Sequence, residues 1–460
     1  MPEAPFSCGQ LLRVQVKSGQ RLVLGTVKLQ PSVKRRSINS RIYSQMNYRK
    51  KILTLMSGTI VAQSVPLIVT PILTRLYSPS EFGTLALFIS IITVFGSVIN
   101  LRYETAIMNP IDDDDALNVA AGGVVIALLL SIALALLLLV SWEQFLELLN
   151  ATSLKWWIFL APPIVFLIGV FNVLNFYNTR LENYRAISDA NAIKSISGAV
   201  VQVILGFLNF GSFGLILGQF TMQIVSSHTL LSHAVKNQNI KSITFKRIVE
   251  QITKYKDFAL YLMPATLANV LGFNIVNILF SSFFGVASLG FLSMTTRLLG
   301  LPTQIIGSSV GQVFYQEATV VKNAGKNIVA IFSSTVRRLF MIGIIPFSIM
   351  FLLAPVLFSL VFGKEWYIAG IYLRILSPMM FIRFITAPIT FVPNIVEKPK
   401  PYLLWQIGFM ITSIASILIA YYLNMGSFYA ITFYGMQGVI QYVILLILCY
   451  RLIVGNLHKT

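Results

Sequence analysis

The chain has 460 residues, 56% of them apolar and 11% charged, with a mean hydropathy of +0.77. Charged residues make up about a quarter of an ordinary soluble domain, so this composition excludes one and describes a polytopic membrane protein. A formal charge of +19 would suit nucleic acid in a soluble protein; in a membrane protein the positive-inside rule accounts for it, and no nucleic-acid partner is expected.

Residues 1–45 hold eight of the 35 Lys and Arg and a single acid, Glu3, and lack the apolar core of a secretory signal. Two readings stand side by side: a basic, disordered cytoplasmic extension, or a biological start at Met46, where MNYRKK runs directly into apolar sequence.

A crossing needs roughly 20 apolar residues to traverse about 30 Å of hydrocarbon. That criterion predicts twelve helices, near 52–74, 83–100, 117–140, 156–177, 192–209, 214–235, 258–284, 291–314, 338–361, 367–392, 402–423 and 427–450. The gaps alternate in charge. One set holds only Arg75, Lys155 and Lys364 as cations, whereas the other holds Arg102, Arg180, Arg185 and Lys194, the runs Lys236 to Lys256 and Lys322 to Arg338, and Lys398 and Lys400. This bias predicts both termini in the cytoplasm.

The longest gap, 236–257, is basic and partly amphipathic, and reads as a surface helix between an N-terminal bundle, 46–235, and a C-terminal bundle, 258–460. Six helices per half make any repeat parallel, a pseudo-twofold along the membrane normal. SPSEFGTLALF at Ser78–Phe88 and GVASLGFLSMTTRL at Gly285–Leu298 match weakly, with Gly83 against Gly290 as residues that permit close helix approach.

Catalytic and metal chemistry find little support. Cys8 and Cys449 stand far apart, and His228 and His233 are five residues apart rather than four. No GxxxxGKS loop is present for nucleotide, so neither a cofactor nor an enzyme activity is expected. The acidic run Asp112–Asp115 reads as a solvated helix start, and the Asn150–Thr152 glycosylation pattern as chance. Prolines inside spans, among them Pro66, Pro71, Pro346, Pro355, Pro378 and Pro388, free backbone carbonyls and kink helices.

The segment GTIVAQSVPLIVTPILTRLYSPSEFGTLALF at 58–88, RYETAI at Arg102–Ile107, QVFYQEA at Gln312–Ala318 and FGKEWYIAGIYLRILSP at Phe362–Pro378 resemble the bacterial oligosaccharide (O-antigen-type) flippases of the multidrug/oligosaccharidyl-lipid/polysaccharide exporter superfamily. The resemblance implies two six-helix bundles around a central cavity and alternating access. It implies transport of an undecaprenyl-pyrophosphate-linked oligosaccharide to the outer leaflet of the bacterial inner membrane. A polysaccharide polymerase and a chain-length regulator are its implied partners.

Such a substrate calls for a cationic, polar cavity. Arg297, Arg374 and Arg383 fall inside predicted spans, where an arginine costs about 2.5–3.5 kcal/mol on insertion scales and usually faces a cavity or partner; its planar fork suits a diphosphate. Arg374 is also near enough to the span end to snorkel. Nine residues separate Arg374 from Arg383, about 900° of turn, so one cavity takes both only if Pro378 bends the helix. Gln63, Asn269, Asn274 and Asn277 suit glycan hydroxyls or, alternatively, interhelical hydrogen bonds. Arg102 and Glu104 read either as a local ion pair or as part of an inward gate, with Glu317 at the comparable position of the other half. The rivals are a cation antiporter of the same superfamily, which would favour intramembrane carboxylates, and a membrane glycosyltransferase or polymerase, which would favour a larger outer loop.

Overall fold

The computed structural model describes residue 58 and residues 60–149, 152–234, 242–323, 327–398 and 400–457; the expectations for 1–45 and Met46 lie outside them. No strand occurs among the described residues. Twelve long helices follow one another: α1 Ile60–Leu76, then α2 Pro79–Gly96, α3 Asp113–Leu148, α4 Ala161–Arg180, α5 Tyr184–Phe207, α6 Ser212–Ala234, α7 Met263–Phe284, α8 Val286–Asn323, α9 Val329–Val361, α10 Tyr367–Thr386, α11 Lys400–Tyr422 and α12 Ser427–Leu457. They form the two parallel six-helix halves anticipated from the sequence.

Among the described residues, nine stretches are long and apolar enough to span a membrane by length and composition. The three long helices missing from that set are α1, whose described part is short, and α6 and α8. Polar residues such as Gln219 and Gln223 in α6, and Ser293, Thr295, Thr296 and Arg297 in α8, lower the hydropathy of the last two. They are polar because they line the interior.

Local chemistry sets the helix ends. In SPSE, Pro79 opens α2 while Ser78 and Glu81 form a capping box, with Ser78 N–H donating to Glu81 Oε2 at 2.7 Å. The acidic run starts α3 as expected, and Arg180 grips Asp113 at 2.9 Å. Gly285, at φ +85°, is the single residue between α7 and α8, a backbone region glycine enters without a Cβ penalty.

Boundaries depart from expectation where polar residues continue a helix. The α8 helix is 38 residues long, about 57 Å at 1.5 Å per residue and nearly twice the hydrocarbon thickness. The tenth predicted span instead breaks after Thr386 into a 3₁₀ segment, Ala387–Phe391, and a short helix, Val392–Ile395, with Pro388 and Pro393 at the joints. The fifth span starts at Tyr184 rather than near 192, so Lys194, counted among the gap cations, lies ten residues inside α5.

The described part of the linker is a surface helix, Phe245–Lys254, capped by Thr244. Its Ile248 and Ile252 close over Gly122 of α3, and Tyr103 Oη donates to Ile252 O at 3.0 Å.

The two halves meet most closely where α2 crosses α8. A Cβ on Gly83 would lie 1.8 Å from Val286 O, and one on Gly290 1.9 Å from Pro79 O. Pro79 and Val286 are the first residues of α2 and α8, each four residues before its glycine, so the contact is reciprocal about the pseudo-twofold. The repeat seen weakly in the sequence is the contact itself. Gly290→Ala must push the backbones apart at an overpacking cost of about 1–3 kcal/mol; the purified variant melts at lower temperature than the wild type, and an unchanged melting curve would contradict this packing.

Candidate functional site

A cavity of about 300 Å³ lies between the halves, lined from the N-terminal side by α1, α2, α5 and α6 and from the C-terminal side by α7 and α8. Ser90, Gln202, Gln219, Asn274, Asn277, Ser293 and Arg297 supply its polar surface. Asn277 Nδ2 donates to Ser90 Oγ at 3.2 Å, joining α7 to α2, while Asn274 Nδ2 turns back to Val270 O at 2.9 Å. Arg297 is open to this space, and no hydrogen bond or ion pair engages it among the described residues. Eleven residues separate it from the start of α8, roughly 17 Å at 1.5 Å per residue, which is mid-membrane depth.

Arg383 and Asn269 belong to a different cavity, about 350 Å³, inside the C-terminal half between α7, α8, α10, α11 and α12. The expected single cavity holding all the arginines is therefore two.

Arg374 faces neither. Its Nε and Nη2 donate to Phe351 O and Leu352 O of α9 at 3.0 and 2.9 Å. Pro355 has no N–H to offer the carbonyl four residues earlier, and Arg374 satisfies that orphan, a structural task. Pro378 stays within one continuous α10, so the two arginines remain on the separate faces their spacing dictates. Gln63 is half-buried on α1 and lines neither cavity.

Arg102 and Glu104 pair at 2.9 Å. Their short helix, Tyr103–Ala106, packs against α3, α4 and the turn Phe258–Leu262, so the pair is local rather than a bridge between facing walls. Arg102 adopts φ +66°, and burial raises the Glu104 carboxyl above its usual range although Arg102 opposes the shift. Glu317 is exposed and without a partner among the described residues. No symmetric carboxylate gate is formed by these two groups.

Closure lies at the opposite, Ser78 end. Trp366, wholly buried, donates its indole N–H to Thr74 O at 3.1 Å and packs edge-on against Phe82 at 5.0 Å. FGKEWY and LTRLYSPSEFG, distant in sequence, thus form one latch across the halves. Tyr77, its phenol pushed up to about 12 by burial, donates to Gln202 O at 2.7 Å. At this end α1, α7 and α8 are buried through Leu73, Phe280 and Leu289, whereas Ile60 and Val313 toward the other ends of α1 and α8 are exposed. The cavity is shut at the Ser78 end.

Sequence reasoning missed Gln202, Gln219 and Lys194. The two amides stand as lone polar residues in apolar spans, a signal open to reading. Lys194 lies over the Phe171 ring at 4.2 Å with no carboxylate partner among the described residues; its predicted span begins only two residues before it, which puts it at a helix end rather than inside.

Residues 72–369 match a family model described as polysaccharide biosynthesis protein. The succinoglycan biosynthesis transport protein ExoT of Rhizobium meliloti (strain 1021) is 23% identical over 327 residues, 71% of this chain. The chain spans 64% of the length of that curated relative. Among solved structures, an inward-facing multidrug resistance MATE family transporter of the MOP superfamily superposes with a TM-score of 0.68 at 14% identity, covering 88% of this chain and 99% of the other. The lipid II flippase MurJ in an inward closed conformation gives 0.66 at 15% identity, covering 86% and 87%. These likenesses establish the fold.

A carboxyl whose pKa is higher folded than unfolded favours the fold most below its usual value of 4.5 and withdraws stability as pH rises through the folded pKa. Glu104→Gln removes that ionisation and keeps a partner for Arg102, so its melting temperature exceeds the wild type's at pH 7–8 and varies less with pH above about 4.5. Parallel wild-type and variant pH profiles would rule the buried carboxylate out as the cause.

Proposed function

The chain belongs to the polysaccharide biosynthesis protein family, and on that premise we propose that it is a flippase for undecaprenyl-pyrophosphate-linked oligosaccharide repeat units. Arg297, unpaired at mid-depth in the cavity between the halves, is the observation that carries this reading. A diphosphate satisfies its planar fork, while Asn274, Asn277, Gln219 and Ser293 face the sugar hydroxyls and the isoprenoid tail stays in lipid.

The excess of Lys and Arg at the Arg102 end puts that end, and both termini, in the cytoplasm of a bacterial inner membrane. The latch at Trp366 and the Gly83–Gly290 crossing then close the outer side, and substrate enters from the cytoplasmic leaflet. Rocking of the halves opens the latch and closes the inner side. Partnership with a polysaccharide polymerase and a chain-length regulator follows from the same reading, as does a transport role without catalysis.

The cation-antiporter alternative is less well supported, because the residues lining this cavity include an arginine and no carboxylate. In proteoliposomes loaded with a lipid-linked oligosaccharide, Arg297→Gln lowers the translocation rate at least tenfold while protein level and melting temperature hold, and Arg297→Lys retains part of it. Wild-type translocation by Arg297→Gln would remove the arginine from the mechanism, and a lengthened or cleaved glycan would replace the flippase by an enzyme.

A further inference from the structure

Arg383 stands 16 residues after Tyr367 and 12 before Ile395 in the helical stretch that includes α10, near the middle of the membrane. Its one polar contact among the described residues is Nη1 to Met380 Sδ at 4.0 Å, too long and too weak to answer a full charge. The cavity it lines carries an aromatic wall in which Tyr402 stacks on Trp405 at 5.7 Å and Trp405 meets Tyr442 at 5.7 Å. That wall is fixed: Trp405 Nε1 donates to Gln441 O at 2.8 Å, and Gln441, Thr412, Gln437 and Ser413 link α11 to α12 by side-chain hydrogen bonds of 2.8–3.2 Å.

The opening of this cavity runs between α7 and α11. Ala265, Ala268, Leu403 and Ile407 line it and are exposed. On α11, Leu403, Leu404, Ile407 and Ile411 make one exposed apolar stripe at i, i+1, i+4 and i+8, the pattern of a lipid-facing surface. Lys400, one turn before Leu403, is exposed at the same end. A rim of apolar side chains leading to an unanswered guanidinium suits a ligand that travels in the bilayer and carries an anion. An aqueous anion would have to cross that rim without its hydration.

We propose that this cavity is a second ligand site, separate from the one at Arg297, which takes the phosphate of a phosphate-bearing lipid entering sideways between α7 and α11. Arg383 holds the phosphate by charge-assisted hydrogen bonds, Asn269 and Gln406 offer further polar contacts, and the chain leaves along Leu403 and Ile407. The inference rests on the flippase reading for its biological use alone; the binding itself is a property of the C-terminal half.

The test uses the full chain purified in detergent, with geranylgeranyl monophosphate, inorganic phosphate and geranylgeraniol as probes in titrations read by native mass spectrometry. In an Arg297→Gln background, which silences the cavity between the halves, geranylgeranyl monophosphate still binds, and adding Arg383→Gln weakens that binding at least tenfold. Leu403→Trp, a surface change at the mouth, weakens it severalfold and gives an answer even where Arg383→Gln fails to fold. Four results overturn the site, each read in the Arg297→Gln background: undiminished binding on adding either Arg383→Gln or Leu403→Trp, no binding left before either is added, equal affinity for inorganic phosphate, which makes it a free-anion site, or equal affinity for geranylgeraniol, which makes it an apolar groove. Arg383-dependent binding by a protein that moves no lipid-linked oligosaccharide in vesicles sinks the flippase reading and leaves the site standing.

Discussion

At the Ser78 end, Gly83 and Gly290 bring α2 and α8 together until the carbonyls of Pro79 and Val286 fill the space that side chains would occupy. With no side chain to yield, this seam is either made or broken. Small-residue contacts let membrane helices pack closely where lipid supplies no hydrophobic drive between them. Everything around the crossing conforms to it: the capping box that starts α2, the one-residue turn at Gly285, and the indole bond from Trp366 to Thr74.

The spans also hold charge in an unusual balance. Lys194 in the N-terminal half, Arg297 between the halves and Arg383 in the C-terminal half have no carboxylate partner among the described residues. Each elementary charge moved through the full membrane potential is worth about 2.3 kcal/mol per 100 mV. A potential negative inside draws the empty cationic carrier toward the cytoplasmic side. On the proposed flippase reading, a bound diphosphate cancels part of that charge and relieves the bias. On that reading voltage acting on these cations directs transport.

Much of this architecture was legible in the chain. Runs of apolar residues gave the twelve helices, SPSE the start of α2, and Gly83 with Gly290 the repeat, since each is a local signal. Arg297 and Asn277 were legible as polar residues in greasy surroundings. Their sharing of a cavity with Ser90 was not, because the α2–α7 contact spans 187 residues of sequence. Arg374 misled for a related reason: the carbonyls it satisfies lie more than 20 residues away on α9, and only packing reveals that Pro355 left one of them free. Lys194 reads at the edge of its span because the apolar run begins near 192, whereas the helix starts eight residues earlier at Tyr184.

Trp366 carries one more consequence. It is one of five tryptophans, and it sits fully buried in the closed seam, while Trp142, Trp156, Trp157 and Trp405 lie within one half or the other. Parting of the halves is the motion that wets the Trp366 indole and breaks its hydrogen bond. The protein thus contains its own optical probe: with the other four tryptophans replaced by phenylalanine, the emission wavelength of Trp366 reads the fraction of molecules open at the Ser78 end, with no added label.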